Sequence, residues 1–367
     1  MSSPGLISFA RGAPSADITP PEALRRSADA ALRKDPAGTL AYGSGAGYAP
    51  LREWIAERHG VAVEQVLATN GSLQAGMLLF DVLVRPGDLV VVESPSYDRT
   101  LLGLWERGAE LLAVPLKEDG IDVGALEATL EAGVAPKLVH VIPNFHNPAG
   151  CTLSLEKRER LLALAAEHDF IVFEDDPYAE LSFAGERLPT MLSQDDSAHV
   201  VYASSFSKTI APGVRVGYLI GPAPLIAAVQ EKAVNTYISP NMLAQSIVAE
   251  FCHSGEILES IENVRAALRD RRDALIDALG RHIGDEAAFV VPKGGYFLWV
   301  ELPEGVDTEQ LLAAAGDHGV TFVKGSDFVL GGGQNALRLA YSGVTPDEIE
   351  EGVKRLAKAL EEIKTAA

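Results

Sequence analysis

The sequence predicts an α/β protein with a mainly parallel sheet and a second, smaller α+β domain, on three observations. Between residues 66 and 220, short apolar runs rich in Val, Ile and Leu alternate with helical patterns, the mark of strands joined by crossover helices. No internal repeat or low-complexity segment interrupts the chain. Its 367 residues exceed the size at which a single core stops growing, roughly 250 to 300 residues, so two domains are expected.

Taken in order, Thr69-Asn70-Gly71-Ser72-Leu73-Gln74 leads into an apolar helical pattern over 75–84. Strands are expected at 89–93 and 138–142. Ser154 then caps a helix whose leucines at 161, 162 and 164 and alanines at 165 and 166 form one face before His168. Further strands are expected at 170–174, 200–203 and 215–220. The stretch 257–283, charged and rich in Leu, Ala and Arg, reads as one long helix leading to the smaller domain. Beyond it lie strand-like segments at 296–301, 321–323 and 336–340, then a helix opening on Thr345-Pro346-Asp347-Glu348. These elements do not alternate strictly, which is why the second domain reads as α+β.

A formal net charge of −20 disfavours nucleic acid and anionic membranes as partners, so a small anion must be held by a local set of donors. Cys151 and Cys252 are far apart and outside any zinc spacing. No metal site is expected, and both read as buried, reduced thiols. Met1-Ser2-Ser3-Pro4-Gly5 opens no basic and apolar leader, and no uncharged run approaches membrane-spanning length. A cytoplasmic location fits both readings.

Open parallel sheets bind ligands in the crevice beyond the carboxyl ends of their strands, and polar residues collect there. Tyr97 follows the strand ending at 93, Asn147 the one ending at 142, and Asp175 and Tyr178 the one ending at 174. Ser205-Phe206-Ser207-Lys208 follows the one ending near 203, with Arg215 and Gly217 close behind. A lysine amine beside two hydroxyls and an arginine suits pyridoxal phosphate (PLP): the amine can form a Schiff base with the aldehyde while the serines and arginine take the phosphate. On these residues alone an exposed surface lysine fits equally well. Backbone N–H groups of Gly71, Ser72 and Leu73, at the start of the helical pattern, can cradle an anion, though the same residues suit an ordinary cap. A carboxylate at Asp175 can keep a pyridine nitrogen protonated, and the hydroxyl of Tyr178 can reach the ring's phenolic oxygen along with Asn147. Asp176 competes with Asp175, and a solvated acidic turn is the plainer alternative.

The ordered set of motifs resembles the fold-type I PLP-dependent class I/II aminotransferases, close to the aromatic and 2-aminoadipate enzymes. The resemblance runs from Phe9-Ala10-Arg11-Gly12-Ala13-Pro14 through Tyr42-Gly43, Leu51-Arg52, Gly71-Ser72, Pro95-Ser96-Tyr97, Asn147-Pro148-Ala149-Gly150, Asp175-Asp176-Pro177-Tyr178 and the lysine segment to Gly294-Gly295-Tyr296-Phe297 and Arg338-Leu339-Ala340-Tyr341-Ser342. It implies the PLP-dependent transferase fold, with a seven-stranded type of sheet in a large domain at 42–265. Residues 1–41 would form an N-terminal arm and part of the small domain, completed by 266–367. It implies Lys208 as Schiff-base lysine, Asp175 at the pyridine nitrogen, Asn147 and Tyr178 at the phenolic oxygen, and Tyr97 stacked on the ring. Ser72, Ser205 and Arg215 would bind phosphate. Arg338 would take the substrate α-carboxylate, with Gly12 and Asn147 also on the substrate side, although an outward-facing strand arginine is the alternative for Arg338. A homodimer with shared active sites is implied, Tyr42 reaching the neighbouring subunit's phosphate. Three positions depart from the family pattern: His146 stands where Gln is frequent, Ala149 where Thr is commoner, and Lys324 where Pro usually precedes Gly325.

The activity implied is transfer of an amino group from an L-amino acid to a 2-oxo acid, 2-oxoglutarate by default, in a ping-pong sequence with Lys208 as proton shuttle. Arg11 can recognise a distal carboxylate or lie on the surface. The same site suits β-elimination or oxidation, because the geometry around Cα steers the cofactor's chemistry. A non-catalytic effector-sensing domain is a further alternative; only about forty residues precede Tyr42, too few for a winged helix-turn-helix.

Overall fold

The computed structural model describes residues 5–184 and 187–366; the leader-free reading of Met1 to Pro4 lies outside them. Its central sheet has the spatial order Val66–Thr69, Gly217–Ile220, Val200–Ser205, Ile171–Asp175, Leu138–Val141, Leu89–Ser94, Glu110–Lys117, Gly120–Ile121. The five consecutive strands from Val200–Ser205 to Glu110–Lys117 pair in parallel, while Gly217–Ile220 runs antiparallel to both of its neighbours. The two-residue Gly120–Ile121 closes a hairpin at the far edge as an eighth strand, one more than the seven-stranded type expected.

Alternation along the strands divides the core. Val90, Val92, Phe173 and Ala203 pack against helices Ser72–Leu83 and Ala223–Tyr237, whereas Val91, Val139 and Val172 pack against Val123–Glu131 and Leu155–His168. Successive residues face opposite sides, so both faces need cover, and each fully buried aliphatic side chain contributes about 1.5–3 kcal/mol. The expected caps form. Ser154 accepts from the Lys157 amide at 3.4 Å, and Thr345 and Glu348 cap reciprocally, the Thr345 amide donating to Glu348 Oε2 at 2.7 Å.

Three expectations need correction. Strands Val66–Thr69, Glu110–Lys117 and Gly120–Ile121 add to those expected; Glu110–Lys117 lies near the edge, carries Pro115 and is only partly buried, so it lacks the apolar run of its neighbours. The strand expected at 215–220 starts at Gly217, because Arg215 turns with φ +50°. The segment expected at 321–323 splits at Phe322. Val320–Thr321 pairs in parallel with Ile7–Ser8, and Val323–Lys324 joins the antiparallel sheet formed by Phe297–Glu301 and Ala336–Ala340. Ile7 and Phe9 are thereby packed in one cluster with Leu268, Leu298, Leu339 and Val353, holding the chain's start against its last hundred residues.

Gly217 shows how tightly the sheet edge meets the helix that begins at Ser72. A Cβ on it would lie 2.5 Å from the Ser72 amide nitrogen and 2.6 Å from the Gly71 carbonyl carbon. Gly217→Ala is expected to cost about 1–3 kcal/mol of stability, read as a lower denaturation midpoint; an unchanged midpoint would show that this contact gives freely.

Candidate active site

The carboxyl ends of the strands meet at a cavity of about 190 Å³, lined by Ser72, Leu73, Tyr97, Asn147, Asp175, Tyr178, Ser205, Ser207, Lys208 and Arg215. Ten residues singled out from the sequence, spread over more than 140 positions, therefore share one wall. Two larger hollows, about 400 and 440 Å³, adjoin Glu118, Cys151 and Val290 and contain neither the lysine nor its neighbours.

Lys208 sits just beyond strand Val200–Ser205. Its Nζ donates to the Gly12 carbonyl at 2.6 Å and lies 4.9 and 5.6 Å from the ring centres of Tyr296 and Tyr178. The Tyr296 hydroxyl donates to the Lys208 carbonyl at 3.1 Å, bracing the backbone. Burial, then the positive charges of Arg338 and Arg215, pull the amine down to about 8 against the opposing pull of Asp175. The surface-lysine alternative thus fails, and an unusually large share of neutral amine is present near neutrality. PLP uptake by the apoprotein is expected to quicken roughly tenfold from pH 7 to pH 9 and then level, whereas an ordinary lysine would keep accelerating beyond pH 10. Stopped-flow absorbance checks this.

Strand alternation separates the two competing carboxylates. Asp175 ends its strand on the cavity side, its side chain 14% exposed and its Oδ1 without a hydrogen-bond partner among the described residues. Asp176 is fully buried behind it, accepts from Asn144 Nδ2 at 2.8 Å, and is pushed up to about 8 by burial and then by Glu174. The solvated acidic turn is thereby ruled out. Burial also raises the hydroxyls beside Asp175, Tyr178 well above its ordinary range and Tyr97 to about 12, so both enter the site as neutral donors.

At the other end of the cavity, Ser205 Oγ donates to Ser207 Oγ at 2.9 Å, and Arg215 NH1 donates to Ser207 Oγ at 3.3 Å. Arg215 NH2 reaches the Asn70 carbonyl at 3.1 Å, and its left-handed backbone is a strained state that neighbours must hold in place. Facing it is the N-terminus of helix Ser72–Leu83, capped by Gly71 with no side-chain acceptor, so the first N–H groups are free for an anion.

Arg338 is buried, on the antiparallel strand Ala336–Ala340, which rules out an outward-facing strand arginine. NH1 donates to Asn147 Oδ1 at 2.9 Å and NH2 to the Ala10 carbonyl at 2.6 Å. Phe297 and Phe328 flank the guanidinium at 4.4 and 4.9 Å from their ring centres. Gly12 is needed where it stands, since a Cβ would lie 2.4 Å from the Phe297 ring. Sequence reasoning assigned no role to Tyr296, Phe297 or Phe328. The glycine pair ahead of Tyr296 and Phe297 was a usable signal; Phe328, in a short 3₁₀ turn, offered none. Tyr42 is 82% exposed and does not line the cavity of its own chain.

An aldehyde, a phosphate and a basic ring nitrogen each find a counterpart here: a part-buried amine of lowered pKa, an anion cradle, and a carboxylate oxygen with no hydrogen-bond partner among the described residues. PLP fits this wall. Comparison with known proteins agrees. The model of the family "Aminotransferase class I and II" matches residues 4–356. The 2-aminoadipate transaminase of Thermus thermophilus is 39% identical, covering 97% of this chain and 90% of that protein, and aromatic-amino-acid aminotransferase 1 of Thermococcus litoralis is 35% identical, covering 97% and 88%. The crystal structure of the α-aminoadipate aminotransferase of Thermus thermophilus, complexed with N-(5'-phosphopyridoxyl)-L-leucine, superposes with a TM-score of 0.95 at 36% identity over 99% of this chain and 94% of that one. The chain belongs to the class I and II aminotransferases of the fold-type I architecture, and PLP is its cofactor.

Proposed function

We propose that this aminotransferase takes the amino group of an L-amino acid held through its α-carboxylate and passes it to a 2-oxo acid, 2-oxoglutarate by default, in a ping-pong sequence. The observation that carries this is the placing of Lys208 Nζ and the Arg338 guanidinium against carbonyls of one segment, Gly12 and Ala10, with Asn147 joining Arg338 to the cavity wall. When bound, PLP supplies the sink for the electron pair left at the substrate Cα. Lys208 would anchor it covalently, and the same amine would take up and return the proton of the substrate Cα. Asp175 would keep the ring nitrogen protonated, Tyr178 and Asn147 would serve the phenolic oxygen, and Tyr97 would cover the ring. The N–H groups after Gly71, with Ser72, Leu73, Ser205, Ser207 and Arg215, would hold the phosphate, and Gly12 and Arg338 would bound the substrate side.

The working unit is a homodimer. Leu40 is 67% exposed, Tyr42 82%, Ile238 60% and Leu243 41%, and Gly43 packs on Met242 beside them. This apolar patch adjoins the phosphate end of the cavity through Asn241, whose amide donates to Asn70 Oδ1. On this reading Tyr42 reaches the partner's phosphate, which its exposure supports. Residues 1–41 form an arm and part of the small domain, 42–265 the large domain and 266–367 the rest of the small one, a division supported by the packing of Ile7 and Phe9 with the C-terminal cluster. A cytoplasmic location accords with two free, buried cysteines. Among the described residues, no helix is long and apolar enough to cross a membrane.

A panel of amino acids with 2-oxoglutarate, with both products followed, tests the reading. Aromatic amino acids and 2-aminoadipate head the panel, given the similar enzymes. Matched formation of glutamate and a new 2-oxo acid is expected; release of ammonia or consumption of oxygen in its place would overturn it in favour of elimination or oxidation.

A further inference from the structure

His146, one of the departures from the family pattern, is bracketed on both ring nitrogens. Nε2 lies 2.9 Å from Glu93 Oε2, and Nδ1 accepts from the Ala149 amide at 3.2 Å. Because that amide can only donate, Nδ1 is the acceptor and the ring proton sits on Nε2, directed at the carboxylate. The side chains are 0% and 1% exposed, and Glu93 Oε2 also accepts from the Ile142 amide at 2.9 Å. A carboxylate buried this deeply is tolerated only when its donors are fixed in place.

The pair ties two parts of the site together. Glu93 lies on strand Leu89–Ser94, four residues before Tyr97. His146 opens a loop closed on itself by its amide on the Cys151 carbonyl at 2.8 Å and by the Gly150 amide on its own carbonyl at 2.7 Å. The next residue is Asn147, whose Oδ1 receives Arg338. We infer that Glu93 and His146 form a positioning pair for carboxylate recognition: the buried bracket sets the Asn147 amide, which sets the Arg338 guanidinium. The inference rests on the reading of Arg338 as the α-carboxylate site.

The test uses PLP-loaded protein and two unreactive or minimal probes, followed by spectral titration: an α-methyl amino acid, which carries the carboxylate but has no Cα proton to lose, and the corresponding amine, which lacks the carboxylate. His146→Leu removes both bonds at similar bulk. It is expected to weaken the α-methyl amino acid about tenfold while leaving the amine within about twofold. His146→Gln can donate to Glu93 and accept from Ala149, and is expected to restore binding to within about threefold. Equal weakening of both probes by His146→Leu, or of neither, would overturn the proposal, since a merely structural side chain has no reason to distinguish them. If the leucine variant does not fold, His146→Asn, too short to span both partners, must show the same selective loss, and its absence counts against the proposal equally. Arg338→Ala separates the two layers of the argument. If it abolishes the preference for the carboxylate probe while His146→Leu keeps it, only the positioning role fails; if Arg338→Ala keeps the preference, the carboxylate reading itself falls.

Discussion

Lys208→Ala is expected to lower kcat for the complete reaction by about 10⁴-fold on the proposed reading of its amine as the proton carrier, because the groups beside it are poorly suited to replace it. The amine owes its reactivity to place: burial and the charges of Arg338 and Arg215 bring it down to about 8, within reach of neutral pH. The alternatives are badly matched. Burial raises Tyr178 and Tyr97, which keeps their hydroxyls protonated and unable to accept the proton, and Asp175 is committed to the ring nitrogen on the proposed reading. The same substitution is expected to raise the thermal midpoint of the PLP-free protein at pH 7, where the amine is not in Schiff-base linkage. Lowering an amine's pKa in the folded state means that the unfolded chain binds the proton more tightly, so stability is lost as pH falls from the ordinary lysine range towards 8 and below. Alanine removes that penalty, which is on the order of a few kcal/mol. Single-turnover absorbance measures the first effect and calorimetry the second. Residual kcat within tenfold of the parent would reject Lys208 as the proton carrier, and a fall in midpoint would show that its contact with Gly12 outweighs its burial.

Much of this site is legible in the sequence, because a parallel sheet gathers the residues just past its strand ends. Tyr97, Asn147, Asp175 and Lys208 each come shortly after an apolar run, and four such runs side by side bring them together. The choice between Asp175 and Asp176 was not legible. It turns on where strand Ile171–Asp175 ends: Glu174 is turned inward onto the amides of Met191 and Leu192, Asp175 faces the cavity, and Asp176 reaches back to Asn144. Period two predicts this alternation only once the register is fixed, and the run of acidic residues hides it. The pairing of Ile7–Ser8 with Val320–Thr321 was equally silent, since two-residue strands carry no periodicity. The aromatic flanks of Arg338 come from residues 41 and 10 positions away, and such contacts leave no local trace.

Arg338→Ala is expected to reduce kcat/KM for an amino acid by about 10³-fold, most of it in KM for the first half-reaction, on the carboxylate reading. A guanidinium has five N–H donors; two are engaged, one by Asn147 Oδ1 and one by the Ala10 carbonyl, and Nε is buried with no partner among the described residues. Three donors therefore remain, enough for a bidentate carboxylate without giving up either structural bond. Phe297 and Phe328 keep the plane of the fork fixed between them, so little freedom is lost when the substrate arrives. Lysine cannot reproduce this. Its single ammonium can satisfy the Ala10 carbonyl or Asn147 but presents no planar pair of donors, so Arg338→Lys is expected to recover no more than about tenfold of the loss despite keeping the charge. Steady-state kinetics on both variants decide the matter. If lysine restores near-parental kcat/KM, recognition depends on charge alone and the geometry of the fork is incidental; if alanine lowers kcat and leaves KM unchanged, Arg338 acts in the chemical step and not in holding the carboxylate.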